Sequence, residues 1–278
     1  MRKLKEYLNR PLSFVMFLLI IISTVITALT VVFIIGYIFT KGVPNLSLDL
    51  FSLKYSSSNQ SMLPSIINTV YLTALTLLLS VPIGIFSAIY LAEYSRKNSF
   101  FVKIINIANE TLSGIPSIVY GLFGFLAFVI SKKWGYSLLA GVITLAIMVL
   151  PLIIRTSQEA MLGVDNTFRE ASYGLGAGKL RTVFKIVLPS AMPGILSGII
   201  LAIGRIVGET AALIYTAGTV PEAATKLTSS SRTISVHLYC LLNEGLYTEQ
   251  AYATAVVLIV FVVIINALSN ALAKKIMK

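Results

Sequence analysis

Six apolar runs divide the chain, at 12–40, 66–92, 104–131, 136–154, 190–218 and 251–273. A helix that crosses a bilayer needs about 20 mostly apolar residues, so each run is read as a transmembrane helix. Strands of an outer-membrane barrel would be about ten residues long and would alternate polar with apolar; these runs do not alternate. The pattern predicts an all-α, polytopic membrane protein with six spans over 12–273. The polar segment 155–189 is too long for a tight turn and is the candidate docking surface. Pro82, Pro116, Pro151 and Pro193 lie within or at the edges of spans, where each removes a backbone donor and can bend its helix.

Composition agrees: 56% of the 278 residues are hydrophobic and 12% charged, about half the charged share of a soluble domain. The formal net charge of +11 would suit a nucleic-acid binder, but Lys and Arg cluster between the apolar runs, where they set topology. No nucleic-acid partner is expected. With the N-terminus inside, 15 of the 22 Lys and Arg residues fall on cytoplasmic segments and 6 on outer ones. The inside set is Arg2, Lys3, Lys5, Arg10, Arg96, Lys97, Lys103, Arg155, Arg169, Lys179, Arg181, Lys185, Lys274, Lys275 and Lys278. By the positive-inside rule, segments 1–11 and 274–278 are both expected to be cytoplasmic; Lys132 and Lys133, on a short outer turn, argue the other way. The run from Leu12 is too long for the core of a secretory signal and lacks a small-residue cleavage site, so it is expected to remain as a helix.

Little in the sequence points to catalysis or metal. Cys240 is the single cysteine, which excludes an intrachain disulfide and a thiolate cluster. His237 has no Cys or carboxylate at ligand spacing, and no nucleophile, base and orienter stand together. Gly178-Lys179 suggests a phosphate-binding loop, yet Tyr173 replaces its first glycine and Leu180 its Ser or Thr.

The 155–189 segment carries Glu170-Ala171-Ser172-Tyr173-Gly174-Leu175-Gly176 and then Ile186-Val187-Leu188-Pro189. A short helix with Glu170 and Ala171 can turn sharply after it, because Gly174, Gly176 and Gly178 permit backbone angles that other residues avoid. The spacing resembles the EAA loop of ABC importer permeases. Glu170, Ala171, Gly176, Ile186, Leu188 and Pro189 match that pattern, and Ser172 departs from it by a small-for-small change. The resemblance implies a type I importer permease fold (MetI-like), with 155–189 as the knob that docks on an ATP-binding cassette subunit. ATP would then be used by that partner, with no cofactor bound by this chain.

Charges inside the spans are few. Arg205 and Glu209 are four residues apart in run 190–218, which on one helix places them on one face. An arginine deep in a membrane costs roughly 2.5–3.5 kcal/mol on insertion scales, so such a residue is a functional candidate. Two readings stand: a structural ion pair at a helix interface, or a guanidinium that holds an oxyanion with Glu209 orienting it. Gly204 and Gly208, like Gly194 and Gly198, are spaced to let another helix approach closely. Arg155 is either a topological anchor or a path residue, and Glu110 either an interfacial carboxylate or a path residue.

Gly114-Ile115-Pro116-Ser117-Ile118-Val119-Tyr120-Gly121-Leu122-Phe123 and Arg205 with Gly208-Glu209-Thr210-Ala211 resemble two hallmark stretches of phosphate ABC importer permeases of the PstA type. That family continues the second stretch with proline, where this chain has Ala212. The resemblance implies a phosphate path through Arg205, Glu209, Thr210 and Arg155. Its implied partners are a second permease subunit of the PstC type, an ATPase dimer of the PstB type, an extracytoplasmic phosphate-binding protein of the PstS type, and the lipid bilayer. Alternatives are a permease of the same architecture for sulfate or molybdate, an ion-coupled secondary transporter with inverted repeats and broken helices, and a membrane sensor or scaffold without transport.

Overall fold

The computed structural model describes residues 11–95 and 99–276. Arg2, Lys3, Lys5, Arg10, Arg96, Lys97 and Lys278, which enter the orientation argument, lie outside them. The described residues form helices and contain no strand. In chain order they are α1 (Pro11–Gly42), α2 (Leu63–Ile89, prolonged by a π-turn Tyr90–Tyr94), α3 (Phe100–Gly114) and α4 (Ser117–Gly124, prolonged by a π-segment Phe125–Ser131). Then follow α5 (Leu138–Leu162), α6 (Asn166–Gly174), α7 (Lys179–Thr182, then a π-turn Val183–Val187), α8 (Leu188–Gly208), α9 (Ala211–Thr216), α10 (Ile234–Glu244) and α11 (Thr248–Ile276).

Five segments are long and apolar enough to span a membrane unbroken: Leu12–Asn45, Leu63–Tyr94, Leu138–Leu162, Lys179–Gly208 and Thr248–Lys275. Large apolar side chains point outward along them, as on α1 and α2; hydrocarbon is the solvent that tolerates this surface. The core sits around α5. Its Leu145, Met148, Val149 and Ile153 pack on Leu72 of α2, Ala202 and Ile206 of α8, and Ala212 and Leu213 of α9. A second cluster joins Ala88 and Ile89 of α2, Met161 of α5, Val183 and Val187, and Ala191 and Ile195 of α8. It gathers the ends of three long helices beneath α6 and α7. At the opposite end of the bundle, Asn68 of α2 ties down the return from α9 to α10. It donates to the carbonyls of Glu222 (2.9 Å) and Arg232 (3.2 Å) and accepts from the Ala224 N–H (2.8 Å).

Three predicted spans differ from the observed helices. Run 104–131 is not one helix: its halves, Val102–Gly114 and Ser117–Ser131, meet at 101°. Pro116 has no N–H to donate, and it drives Ile115 into the extended region (ψ 131°), which ends the first half. Run 190–218 also breaks. α8 stops at Gly208, Glu209 is extended (φ −71°, ψ 129°), and a short α9 restarts at Ala211. Run 136–154, in contrast, continues to Leu162, because Pro151 sits inside the helix without ending it, so Arg155 belongs to a long helix instead of the docking segment.

Candidate functional site

The two breaks face each other. A Cβ on Gly121 of α4 would strike the Cα of Ala212 (2.8 Å) and the carbonyl of Ala211 (3.1 Å), so only glycine lets α4 lie directly on α9. One turn on, Gly124 seats against Thr144 of α5 and Thr216 of α9. The two stretches singled out in the sequence, 114–123 and 205–211, therefore form one elbow. Tyr120 is buried there (4% exposed), donates its hydroxyl to the Leu112 carbonyl (2.8 Å), and lies within electrostatic range of Arg205.

Arg205 and Glu209 do not share a helical face, because α8 ends between them. Among the described residues the ion pairs are Arg155–Glu159 and Arg169–Glu93; Arg205 and Glu209 are not one of them. Glu209 is buried and accepts the Ala212 N–H on its Oε1 (3.1 Å). A proline at 212, as in the family pattern, would have no N–H to give. Thr210 is the residue before α9, with its hydroxyl on the Gly208 carbonyl (3.4 Å). Glu209 thus secures the start of α9, and the partly exposed Arg205 sits in the last turn of α8, beside carbonyls whose dipole favours a cation.

Gly194 seats against Ala160 and Gly198 against Thr156, which fixes the antiparallel register of α8 on α5. Carried along that register, Arg205 stands level with Val149 near the middle of α5. Arg155 lies six residues further along α5, about 9 Å away along the axis at 1.5 Å per residue. It is 59% exposed and donates from Nε to Glu159 Oε1 (2.9 Å). The pair opens on a polar cleft of about 230 Å³, lined by Asn106, Asn109 and Glu110 of α3 and Arg155, Gln158 and Glu159 of α5. Each helix contributes polar residues at i, i+3 and i+4, one face of a helix. That spacing was a readable signal, and of these residues only Arg155 and Glu110 were picked out from the sequence.

At the α6 end, a short knob stands out from the bundle. Asp165 caps α6, accepting the Thr167 N–H (2.9 Å) and hydroxyl (3.0 Å), bonds that hold its carboxyl below the ordinary carboxylate range. The helix closes in a Schellman motif: Gly176 N–H to the Tyr173 carbonyl (2.9 Å) and Ala177 N–H to the Ser172 carbonyl (3.1 Å). Gly176 takes φ +79°. Gly174 and Gly178 do not use the left-handed region, so Gly176 alone makes the bend. The departure at Ser172 also has a role, since its buried hydroxyl bonds that of Thr182 (2.8 Å) across the bend.

Glu170, Ala171 and Gly176 lie on the exposed side of the knob. Around them Leu175 is 88% and Leu180 66% exposed, and Phe168 and Tyr173 are exposed as well. Exposed apolar side chains grouped among polar ones are the kind of surface that marks an interaction site. Ile186 and Leu188 are partly buried, Leu188 packs against the second core cluster, and Pro189 is exposed in the first turn of α8, so of the three Leu188 is the one that ties the return from the knob to the bundle. His237 is fully buried on α10, its imidazole pushed down to about 3 by burial and by Arg232 beside it. No cluster of three or more potential metal ligands occurs among the described residues.

Comparisons with known proteins place this architecture. Residues 80–278 match the model of the binding-protein-dependent transport system inner membrane component family. The chain is 34% identical over 269 residues to the phosphate transport system permease protein PstA of Pasteurella multocida, covering 95% of this chain and 93% of that one. It is 32% identical over 259 residues to the probable ABC transporter permease protein YqgI of Bacillus subtilis, covering 87% and 88%. Among solved structures, a bacterial ABC transporter involved in alginate import aligns over the full length of both chains with TM-score 0.67 at 18% identity. The MetNI methionine ABC transporter, inward facing, aligns over 77% and 94% with TM-score 0.59 at 18% identity. These two share its fold. The broken helices alone would also suit an ion-coupled secondary transporter, but the family match removes that reading. The chain is a multi-pass membrane protein of the binding-protein-dependent ABC importer permeases and belongs, within them, with the PstA-type subunits.

Proposed function

We propose that this chain is the permease subunit of an ATP-driven importer that moves inorganic phosphate across the cytoplasmic membrane, with both termini inside. The observation that carries the reading is Arg205, a guanidinium at mid-bundle whose nearest sequence candidate for a counter-charge, Glu209, is engaged with the Ala212 N–H instead. A partly exposed arginine with no carboxylate partner among the described residues is matched to a two-pronged oxyanion such as phosphate. The PstA relatives support phosphate as the substrate.

Arg155 in the polar cleft is a second station on the same route, where phosphate competes with Glu159 for the guanidinium. A second permease subunit of the PstC type covers the open side of α8, where no other described element lies within 4 Å of a Cβ built on Gly204 or Gly208. Phosphate arrives from an extracytoplasmic binding protein of the PstS type. Glu170, Ala171 and Gly176 dock on an ATPase dimer of the PstB type, which hydrolyses ATP. Ion-specific uptake tests this. In proteoliposomes holding this chain with its partner permease, ATPase and binding protein, ATP-driven uptake of labelled phosphate is expected with no uptake of sulfate or molybdate. Uptake of sulfate or molybdate without phosphate overturns the substrate while leaving the permease family untouched.

A further inference from the structure

We infer that Arg169, paired with Glu93, is a positioning strut that carries movement of the knob into α2 and α5; the inference rests on the coupling reading of α6. Arg169 immediately precedes Glu170, but its side chain turns inward. Nη2 and Nε donate to Glu93 Oε1 at 2.6 and 3.1 Å, across 76 residues of sequence. Nη2 also reaches the Met161 carbonyl (2.8 Å), and Nη1 reaches the Val164 carbonyl (2.7 Å) and Asn166 Oδ1 (3.3 Å). The two side chains are only 13% and 6% exposed. One guanidinium therefore ties three elements together: the π-turn that ends α2, the carbonyls at the end of α5, and α6 itself.

A second contact grips the same turn from the other side of the bend. Lys179 of α7 places its Nζ over the Tyr94 ring, 5.0 Å from the centroid. Residues on both flanks of Gly176 thus hold Tyr90–Tyr94 of α2, above the cluster in which Val183 and Val187 meet Ala88, Ile89 and Met161. The geometry supplies a mechanical route. A helix transmits displacement along its axis, and Met161, held by Arg169, lies six residues from Arg155 on the same helix. When the knob moves, the end of α5 moves with it, and the Arg155–Glu159 pair shifts relative to α3 across the polar cleft. Two guanidinium donors converging on one oxygen of a nearly buried carboxylate, with the other donors held by backbone carbonyls, make the contact stiff, where a surface lysine would not be.

The assembled complex in proteoliposomes tests this with Arg169→Ala, Arg169→Lys, Glu93→Gln and Glu170→Ala, reading ATPase co-purification, ATP hydrolysis and phosphate uptake for each. Arg169→Ala and Glu93→Gln are expected to retain the ATPase subunit and hydrolysis while phosphate carried per ATP falls about tenfold, within the usual range for coupling between sites. Arg169→Lys, which keeps the charge, should recover part of the ratio. Glu93 lies outside the knob, so its variant separates transmission from docking. An unchanged ratio in both Arg169→Ala and Glu93→Gln overturns the strut, as does loss of the ATPase subunit from Glu93→Gln. If Arg169→Ala fails to accumulate, Glu93→Gln alone decides. Separately, Glu170→Ala should lose the ATPase subunit; if it retains both the subunit and normal uptake, the coupling reading of α6 itself falls, whatever the strut variants do.

Discussion

Helix α8 is settled along one half and open along the other. Toward its start, Gly194 and Gly198 are filled by Ala160 and Thr156 of α5, so the glycine face of this half is used within the chain. Toward its end, Gly204 and Gly208 face open space and Arg205 is partly exposed. Small residues at the same four-residue spacing thus serve two purposes: one pair builds the subunit, and the other leaves room for what the subunit works with. The same division separates the arginines. Arg169 spends its donors within the chain on Glu93, Met161, Val164 and Asn166, whereas Arg205 has no carboxylate partner among the described residues.

The sharpest way to break the comparison is to fill the glycines. Gly198→Val drives a side chain into Thr156 and is expected to cost about 3 kcal/mol, seen as a large fall in thermal stability of the purified subunit. Gly204→Val should leave the isolated subunit within about 0.5 kcal/mol of wild type and weaken co-purification of the second permease subunit. Equal losses of stability at both sites would erase the distinction between the halves.

A buried group at the opposite end of the bundle, on α10, titrates in a definite sense. His237 is lowered to about 3 in the fold, so between its ordinary value near 6.5 and that point the unfolded chain binds a proton that the native chain does not. Stability is expected to be flat above about pH 6.5 and to fall by about 1.4 kcal/mol per unit below it. His237→Gln should flatten that part of the profile, measured as the melting temperature against pH. A smaller effect belongs to the knob: Ser172→Ala removes the bond to Thr182 and is expected to cost about 1 kcal/mol, read as faster amide exchange over 172–182.

The long helices were legible because apolar runs of spanning length have few other folds available in lipid. The breaks were less so. Pro116 gave a local signal through its effect on Ile115, but apolarity continues across the bend and hid it. At Gly208 the helix ends without a proline, and the extended backbone of Glu209 comes from packing of α9 on α4. The same event separated Arg205 from Glu209, so the ion pair suggested by their four-residue spacing does not form. Gly176 and the knob were readable because a Schellman ending is local in sequence. Glu93 was not, since its partner is 76 residues away and only the fold brings them together.

The most direct test of the account is ATP-driven phosphate uptake by the reconstituted complex with Arg205→Gln, alongside the melting temperature of the variant subunit. Loss of a two-point, charge-assisted contact predicts uptake lowered about 10- to 100-fold with the melting temperature unchanged. Normal uptake with a lowered melting temperature would contradict it and make Arg205 a residue that only holds the fold.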